Sequence, residues 1–186
     1  MKEIVSILII LFVSTSLNAQ IKNAKSISDT TQIKTIDTSK VKTLDSTIKT
    51  LYRTISGEKG VERNWKLFQY LFMPGAKLIP SGKNEKGEYK VRYLKPEDYI
   101  KSSGKWLVEN GFFEKELFRT VNTFGNITQV FSTYESFKSE TDIYPFMRGI
   151  NSIQLLFDGN RWWIINIYWA QESKEHPIPA EYLAVD

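Results

Sequence analysis

The stretch Gly149–Trp169, GINSIQLLFDGNRWWIINIYW, decides how the rest of the chain is arranged. Two runs rich in Ile, Leu, Trp and Tyr flank Asp158-Gly159-Asn160, a turn signal typical of a β-hairpin. Both faces of this hairpin are largely apolar, whereas a hairpin with water behind it alternates apolar and polar residues. We therefore expect the central hairpin of a curved sheet, covered on both faces.

The length of the turn determines which side chains share a face. If the loop has an even number of residues, the first face holds Asn151, Ile153, Leu155, Phe157, Trp162, Ile164, Asn166 and Tyr168. This face is apolar near the turn and polar at the far end, as in a ligand cavity with a few polar groups. The second face then carries Ser152, Gln154, Leu156, Trp163, Ile165, Ile167 and Trp169. We expect it to pack on another sheet, on the C-terminal tail or on a second subunit.

The first nineteen residues have the pattern of a secretory signal peptide. Lys2 precedes an apolar run from Ile4 to Val13, and a small polar stretch ends at Ala19. This run is too short to span a bilayer comfortably, and no later stretch reaches the roughly 20 apolar residues that a membrane helix needs. The chain has no cysteine, which excludes a lipid anchor on cysteine, a disulfide scaffold and a thiolate metal site. We expect an exported protein, periplasmic or extracellular, with no membrane span after cleavage.

Residues 20–43 form a polar tract that predicts a disordered linker. The tract contains five lysines and two aspartates, so it carries three of the four net positive charges of the chain. The domain predicted to follow, residues 44–186, is therefore close to neutral. A nucleic-acid-binding domain instead concentrates Lys and Arg on one folded face, so we expect no nucleic-acid partner.

The order of elements predicts an α+β fold. Helical spacing or capping signals indicate three helices, from Leu44 to a C-terminal Gly57, from an Asn64 cap to Pro74-Gly75, and from Pro96 to Asn110-Gly111. The predicted strands are 76–80, 88–94, 113–124 and 127–137, followed by the central hairpin. The tail HPIPAEYL is expected to cross the sheet as an extended strap. Three N-terminal helices would then pack on a strongly curved, mostly antiparallel sheet.

Several segments in this order carry a resemblance to a known superfamily. They are SGEKGVERNWKLFQYLFMPGAKLIP, VFSTYESF, RGINSIQLLFDGNRWWIINIYW and HPIPAEYL, within Leu44 to Leu183. Together they resemble bacterial nuclear transport factor 2-like, or SnoaL-like, proteins. The resemblance implies a cystatin-like cone, and a scaffold shared by isomerases, cyclases, dehydratases and binding modules. Scaffold alone does not fix the chemistry.

The catalytic sets of the enzymatic relatives have no counterpart that can be placed here residue by residue. The single histidine, His176, lies in the proline-containing tail, and a zinc site normally needs more His or Cys than this chain offers. We therefore expect no metal and no cofactor. Arg148 and Arg161 flank the central hairpin, where they are expected either to hold a carboxylate or to act as solvated caps.

Two glutamates are candidates for acid/base chemistry. If Gly125-Asn126 is a two-residue turn, Glu116 and Glu135 lie directly opposite each other, and like charges so placed repel unless one is protonated. Tyr168 or Tyr134 would then serve as the hydrogen-bond donor to a carbonyl substrate. The alternative is a solvent-exposed strand end, where Lys115 or Lys138 relieves the repulsion.

The predicted ligand pocket lies on the first face of the hairpin and is closed by helices. Its residues are Tyr99, Trp106, Asn151, Trp162, Ile164, Asn166 and Tyr168. Three functions remain open at this point. They are an exported module that binds a small apolar ligand, an acid/base isomerase, cyclase or dehydratase, and a non-catalytic envelope module that forms a homodimer through Trp163, Ile165, Ile167 and Trp169.

Overall fold

The computed structural model describes residues 36–184, so the predicted signal peptide and most of the predicted linker lie outside the described residues. The last part of the predicted linker is folded. Asp37 caps a 3-10 helix, Thr38–Val41, and Val41 is buried in the core. The predicted domain start at Leu44 is therefore several residues late, because one apolar side chain anchors the end of a polar tract.

Three helices form as the sequence predicts. Helix α1, Leu44–Ile55, begins with a capping box between Thr43 and Ser46. Helix α2, Trp65–Tyr70, is capped by the Asn64 side chain, which accepts the Leu67 N–H. Helix α3, Pro96–Asn110, has proline in its first turn and ends at Gly111, which has a φ of 73°.

The strands are β1 (Phe72–Lys83), β2 (Tyr89–Val91), β3 (Phe113–Phe124), β4 (Ile127–Phe137), β5 (Met147–Phe157) and β6 (Trp162–Gln171). They form one curved, unclosed sheet in the order β2-β1-β6-β5-β4-β3. Every neighbouring pair is antiparallel except β1 with β6. The predicted α+β fold with a mostly antiparallel curved sheet is confirmed.

Strand β1 is longer than predicted and begins where the second helix was expected to continue. Its pairing with β6 is interrupted between Phe72 and Lys77. Pro74 and Gly75 lie in this interruption, where a proline breaks no ladder hydrogen bond and Gly75 has a φ of 89°. The Pro-Gly pair therefore marks an irregularity within a strand rather than the end of a helix.

The helices pack on one face of the sheet, which we call the inner face. The hydrophobic core lies between them and includes Leu51, Phe68, Leu107, Ile153 and Ile164. On the other, outer face the C-terminal tail runs across the strands. Its Tyr182 ring packs against Phe131 with centroids 5.0 Å apart, and the Tyr182 carbonyl accepts from Thr133 Oγ1 at 2.6 Å. The tail is thus the strap that the sequence indicates.

Within residues 36–184, no helix is both long enough and apolar enough to cross a membrane.

Candidate functional site

A cavity of about 230 Å³ opens between the inner face and the three helices. Aromatic and aliphatic side chains form most of its wall, among them Leu51, Phe68, Tyr99, Trp106, Ile167 and Trp169. A more open cleft, which Pro145, Phe146 and Arg148 help to line, adjoins it, because Met147 and Gln171 line both spaces. The cavity therefore has a mostly apolar wall, and it opens near the start of β5 and the end of β6.

Glu114 supplies the acidic group of the cavity. It is the second residue of β3, and its N–H donates to Ser56 Oγ at 2.9 Å, which ties the strand to the end of α1. Its carboxylate accepts from Asn151 Nδ2 at 3.3 Å and from Ser136 Oγ at 3.4 Å. Both distances lie beyond the usual range for a hydrogen bond to a carboxylate. The carboxylate therefore has only weak hydrogen bonds from its neighbouring side chains.

Burial raises the pKa of Glu114 from its ordinary value of 4.5 to about 7. The bonds from Asn151 and Ser136 act in the opposite direction and offset only part of this effect. Burial, and then the negative charge of Glu114, raise the pKa values of Tyr99 and Tyr134. At neutral pH the site therefore holds a carboxyl group poised between its two forms, with two protonated phenols beside it.

The Tyr134 hydroxyl lies close to the β5 backbone because residue 149 is glycine. A Cβ atom at Gly149 would lie 2.6 Å from the Tyr134 oxygen and 2.4 Å from the carbonyl oxygen of Ala170. Contacts this short do not occur with real side chains. Gly149 therefore makes room for Tyr134 beneath the strand.

A chain of hydrogen bonds leads away from the cavity. Asn151 Nδ2 also donates to the Tyr52 hydroxyl at 3.1 Å, and that hydroxyl lies 2.7 Å from Ser132 Oγ. Ser132 in turn donates to Glu116 at 2.5 Å, and Glu116 pairs with Arg119 at 2.8 Å. An amide N–H₂ does not relay protons, so Asn151 interrupts proton movement along this chain.

The predicted pairing of Glu116 with Glu135 is wrong. The turn at Gly125-Asn126 has two residues as expected, but β3 bulges at Leu117 and its register shifts by one. Glu116 consequently lies opposite Tyr134, and Glu135 lies opposite Lys115. Glu135 Oε1 is also 3.9 Å from Arg148 Nη1, so each glutamate has its own cationic neighbour. The two carboxylates do not share a site.

A second bulge, at Ile165 in β6, divides the predicted first face. Leu155 pairs with Ile164, but Gln154 pairs with Asn166, so the strand beyond the bulge turns over. Asn166 and Tyr168 therefore lie on the outer face, and their placement in the pocket is wrong. Tyr168 is 45% exposed.

The remaining predicted pocket residues divide into two groups. Tyr99, Trp106 and Asn151 line the cavity. Ile164 and Trp162 lie on the inner face but nearer the turn, where Ile164 is fully buried and Trp162 packs on Phe157 at 5.2 Å. These two side chains belong to solid core rather than to the cavity wall.

The bulge at Ile165 also changes the predicted dimer surface. Ile167 is buried on the inner face, and Trp169 lines the cavity. Trp163 stays on the outer face opposite Leu156, and its ring lies 3.6 Å from the Arg161 guanidinium. The four residues do not form one surface.

The arginines that flank the hairpin are not ligand clamps. Arg148 forms a two-pronged pair with Glu172, at 2.8 and 3.0 Å, and Arg161 lies between the rings of Tyr70 and Trp163. Among residues 36–184, no group of three acidic, His or Cys side chains is arranged to hold a metal ion.

Sequence reasoning did not identify Glu114. The available signal was that Glu114 alternates with Glu116 on one face of a predicted strand, the face that must lie beneath helices. A carboxylate at such a position is either paired or placed for function.

Comparisons with known proteins identify the fold. The sequence matches no protein-family model and no curated protein. Among solved structures, a cystatin-like protein of unknown function from Nostoc punctiforme aligns with a TM-score of 0.53 and 8% identity, over 70% of this chain and 89% of that one. The expected resemblance to the nuclear transport factor 2-like superfamily is confirmed at the level of the fold.

Two further solved structures are similar to this chain in fold. A putative calcium/calmodulin-dependent protein kinase II association domain from Xanthomonas campestris aligns with a TM-score of 0.51 and 16% identity, over 70% of this chain and 86% of that one. A nuclear transport factor 2-like protein of unknown function from Silicibacter pomeroyi aligns with a TM-score of 0.49 and 14% identity, over 69% and 92%. At these identities the likeness extends to the fold alone.

Proposed function

We propose that this protein is an exported module that binds a small, mostly apolar molecule in the inner-face cavity. The observation that carries the proposal is an apolar cavity in which a single carboxyl group, that of Glu114, has a pKa raised to about 7. Ligand sites are typically apolar spaces with a few convergent polar groups and titratable residues of shifted pKa. Export is inferred from the Lys2 to Ala19 pattern of the sequence.

The size of the cavity limits the ligand. An apolar cavity of about 150 Å³ is enough to hold benzene in another protein. The 230 Å³ available here therefore suits a molecule somewhat larger than a single aromatic ring. Its polar group would lie at Glu114 and Asn151, while the apolar part would contact Phe68, Ile167 and Trp169.

A second candidate function is proton transfer, and the raised pKa of Glu114 favours it. A general base or acid works best when its pKa lies near the working pH. Glu114 would take the proton from a carbon next to a carbonyl group, and the Tyr134 hydroxyl would donate to the carbonyl oxygen. This is the role that the sequence predicted for Glu116 or Glu135, moved to the carboxylate that lines the cavity.

The test of ligand binding is native mass spectrometry of protein purified without denaturation, followed by release and identification of any retained molecule. We expect a retained small molecule or, with an empty cavity, saturable binding of benzyl alcohol detected through the fluorescence of Trp106 and Trp169. Phe68→Trp fills the cavity and should abolish binding, whereas Tyr144→Trp on an exposed loop should not. No retained molecule and no saturable binding would refute the proposal.

We also propose self-association through the uncovered part of the outer face. Tyr168 and Ile165 are 45% and 36% exposed there, and exposed apolar side chains of this kind often mark an interaction surface. The Xanthomonas structure of the same fold is described as an association domain. Sedimentation velocity should show a dimer that Tyr168→Glu dissociates and Tyr144→Glu leaves intact. A monomer at micromolar concentration would refute this second proposal.

A further inference from the structure

The described lining of the cavity contains an acidic side chain but no basic side chain to balance it. Of the described residues that line it, Glu114 is the only one with a carboxyl group, and none is Lys, Arg or His. The half-buried carboxylate thus faces a space without a counter-charge. A charge buried in this way is costly unless a partner of opposite sign enters.

We propose that the ligand of this cavity carries an ammonium group, which pairs with the Glu114 carboxylate while its apolar part fills the space among the aromatic rings. The inference rests on the proposed function, because it names the chemical class of the molecule that the cavity binds.

The hydrogen bonding of Glu114 leaves room for such a partner. Its two bonds are long, at 3.3 and 3.4 Å, and a carboxylate has about four acceptor positions. Glu172, which directly follows β6, shows the satisfied case. It accepts two bonds from Arg148 at 2.8 and 3.0 Å and one from the Ile178 N–H at 3.0 Å. Glu114 lacks the cation that Glu172 has.

The aromatic wall favours a cation over an anion or a neutral polar group. Phe68 and Tyr99 are stacked with centroids 5.6 Å apart, and Tyr99 meets Trp169 at 6.5 Å. Aromatic faces attract cations, most strongly where water is excluded, and aromatic rings around a carboxylate are a common way to hold alkylammonium groups. An anionic ligand would instead meet the charge of Glu114.

The pH dependence follows from the groups that surround Glu114. Tyr52 of α1, Tyr99 of α3 and Tyr134 of β4 face it, and burial raises the pKa of each phenol away from neutrality. Asn151 of β5 and Ser136 of β4 do not titrate. Glu116, paired with Arg119, lies beyond Tyr52 and Ser132. Glu114 is therefore the group that titrates within the cavity near neutral pH.

The experiment is isothermal titration calorimetry of the full chain with three benzyl-type probes. They are the cation benzyltrimethylammonium, the neutral benzyl alcohol and the anion benzoate. The quaternary ammonium stays charged at every pH. Its dissociation constant should fall by about tenfold or more between about pH 5.5 and about pH 8.5, as Glu114 ionises. Benzyl alcohol should bind equally at both values, and benzoate should bind worst at the higher one.

Two matched variants assign the effect. Glu114→Gln keeps the shape and should remove both the pH dependence and the preference for the cation over benzyl alcohol. Glu116→Gln removes the neighbouring carboxylate outside the cavity and should leave the cation preference unchanged. If Glu114→Gln fails to fold, proton release replaces it. At pH near the pKa of Glu114, wild-type protein should release about half a proton on binding the cation and none on binding benzyl alcohol.

The outcomes separate the two claims. If benzyl alcohol binds as tightly as the cation at high pH, or if cation binding releases no proton, the ammonium proposal is wrong and the binding function stands. If binding of a neutral probe strengthens at low pH, the protonated carboxyl donates to that ligand, which also overturns the ammonium proposal. If none of the probes binds and no molecule is retained on purification, both the inference and the proposed function fail.

Discussion

Arg63 and Glu114 both lie within this domain without a counter-ion in contact, but the protein surrounds them in opposite ways. Arg63 is 6% exposed, and its guanidinium donates to five backbone carbonyls. These belong to Ile55, Gly57, Glu58, Val61 and Leu107. Glu114 has two long bonds from side chains and faces a cavity.

The difference separates a structural role from a functional one. Ile55 ends α1 and Leu107 lies near the end of α3, so Arg63 sits where two helix C-termini present unpaired carbonyls and negative partial charge. Its charge is satisfied within the fold. The charge of Glu114 is not, and its raised pKa records the deficit. A polar group with too few hydrogen bonds beside a cavity indicates a ligand site more strongly than a fully hydrogen-bonded one does.

The largest predicted effect comes from removing the satisfied charge. Arg63→Met should lower the free energy of unfolding by about 4 kcal/mol, because five carbonyls lose a donor and those buried remain unsatisfied. Arg63→Lys should recover part of this loss, since an ammonium cannot reproduce the planar fork. Urea denaturation measures the change, with Arg53→Met on the exposed side of α1 as the control. A loss no larger than that of the control would remove the structural half of the comparison.

The second prediction concerns the unsatisfied charge. Folding raises the pKa of Glu114 from 4.5 to about 7, so the folded state holds this proton more tightly than the unfolded state does. Its contribution to stability is complete below pH 4.5 and is lost as the pH rises to about 7. The loss is on the order of 3 kcal/mol.

Urea denaturation at a series of pH values measures this contribution as the difference between wild type and Glu114→Gln. The wild type should become less stable relative to the variant across pH 4.5 to 7, and the difference should level off above that range. A constant difference would show that Glu114 keeps its ordinary pKa, and the comparison with Arg63 would then lose its meaning.

The sequence predicts the bounds of most helices and strands well. It predicts poorly which residues lie on the inner face of the sheet. Long periodic segments with clear ends, such as Leu44–Ile55 and Pro96–Asn110, were placed with correct bounds because caps and hydrophobic spacing agree there. The bulges at Leu117 and Ile165 were not predicted, since neither position has a glycine or proline to mark it. Each bulge shifts the pairing of the residues beyond it, counted from the hairpin turn. Glu116 is therefore not opposite Glu135, and Asn166 is not in the cavity.

Glycine can also mislead when only one of its uses is considered. The sequence predicts Gly57 as the C-terminal glycine of α1, and such glycines commonly have a positive φ. In the structure Ser56 ends the helix in an extended conformation, and Gly57 has no positive φ. A Cβ atom at Gly57 would lie 2.6 Å from Arg63 Nη1. The glycine is required by the close approach of the guanidinium, a contact between loop residues that helical periodicity does not reveal.

The third prediction uses Arg161, an intermediate case. Its guanidinium donates to the carbonyls of Tyr70 and Trp162 and stacks on two rings, but Nη1 is buried without a partner. Arg161→Met keeps much of the packing and removes the orphaned donor, so the cost should be about 1 to 2 kcal/mol, well below that of Arg63→Met. Urea denaturation of the two variants side by side provides the measure. Equal costs would show that hydrogen-bond satisfaction does not rank these arginines.

The smallest predicted effect is that of removing the weak hydrogen bond from Ser136 to Glu114. A second serine of the same strand, Ser132, provides the comparison. Ser132 and Ser136 are both fully buried on the inner face of β4. Ser132 Oγ bonds to Glu116 at 2.5 Å and to Tyr52 at 2.7 Å, whereas Ser136 Oγ reaches Glu114 only at 3.4 Å. Ser132→Ala should therefore lower the free energy of unfolding by about 1 to 2 kcal/mol, and Ser136→Ala by about 0.5 kcal/mol or less.

The Ser136 bond favours the ionised carboxylate, so its loss should raise the pKa of Glu114 slightly. NMR titration of the side-chain carboxyl carbon measures this change. A cost for Ser136→Ala equal to that for Ser132→Ala would mean that Glu114 is anchored as firmly as Glu116, and that its carboxylate is not held open for a ligand.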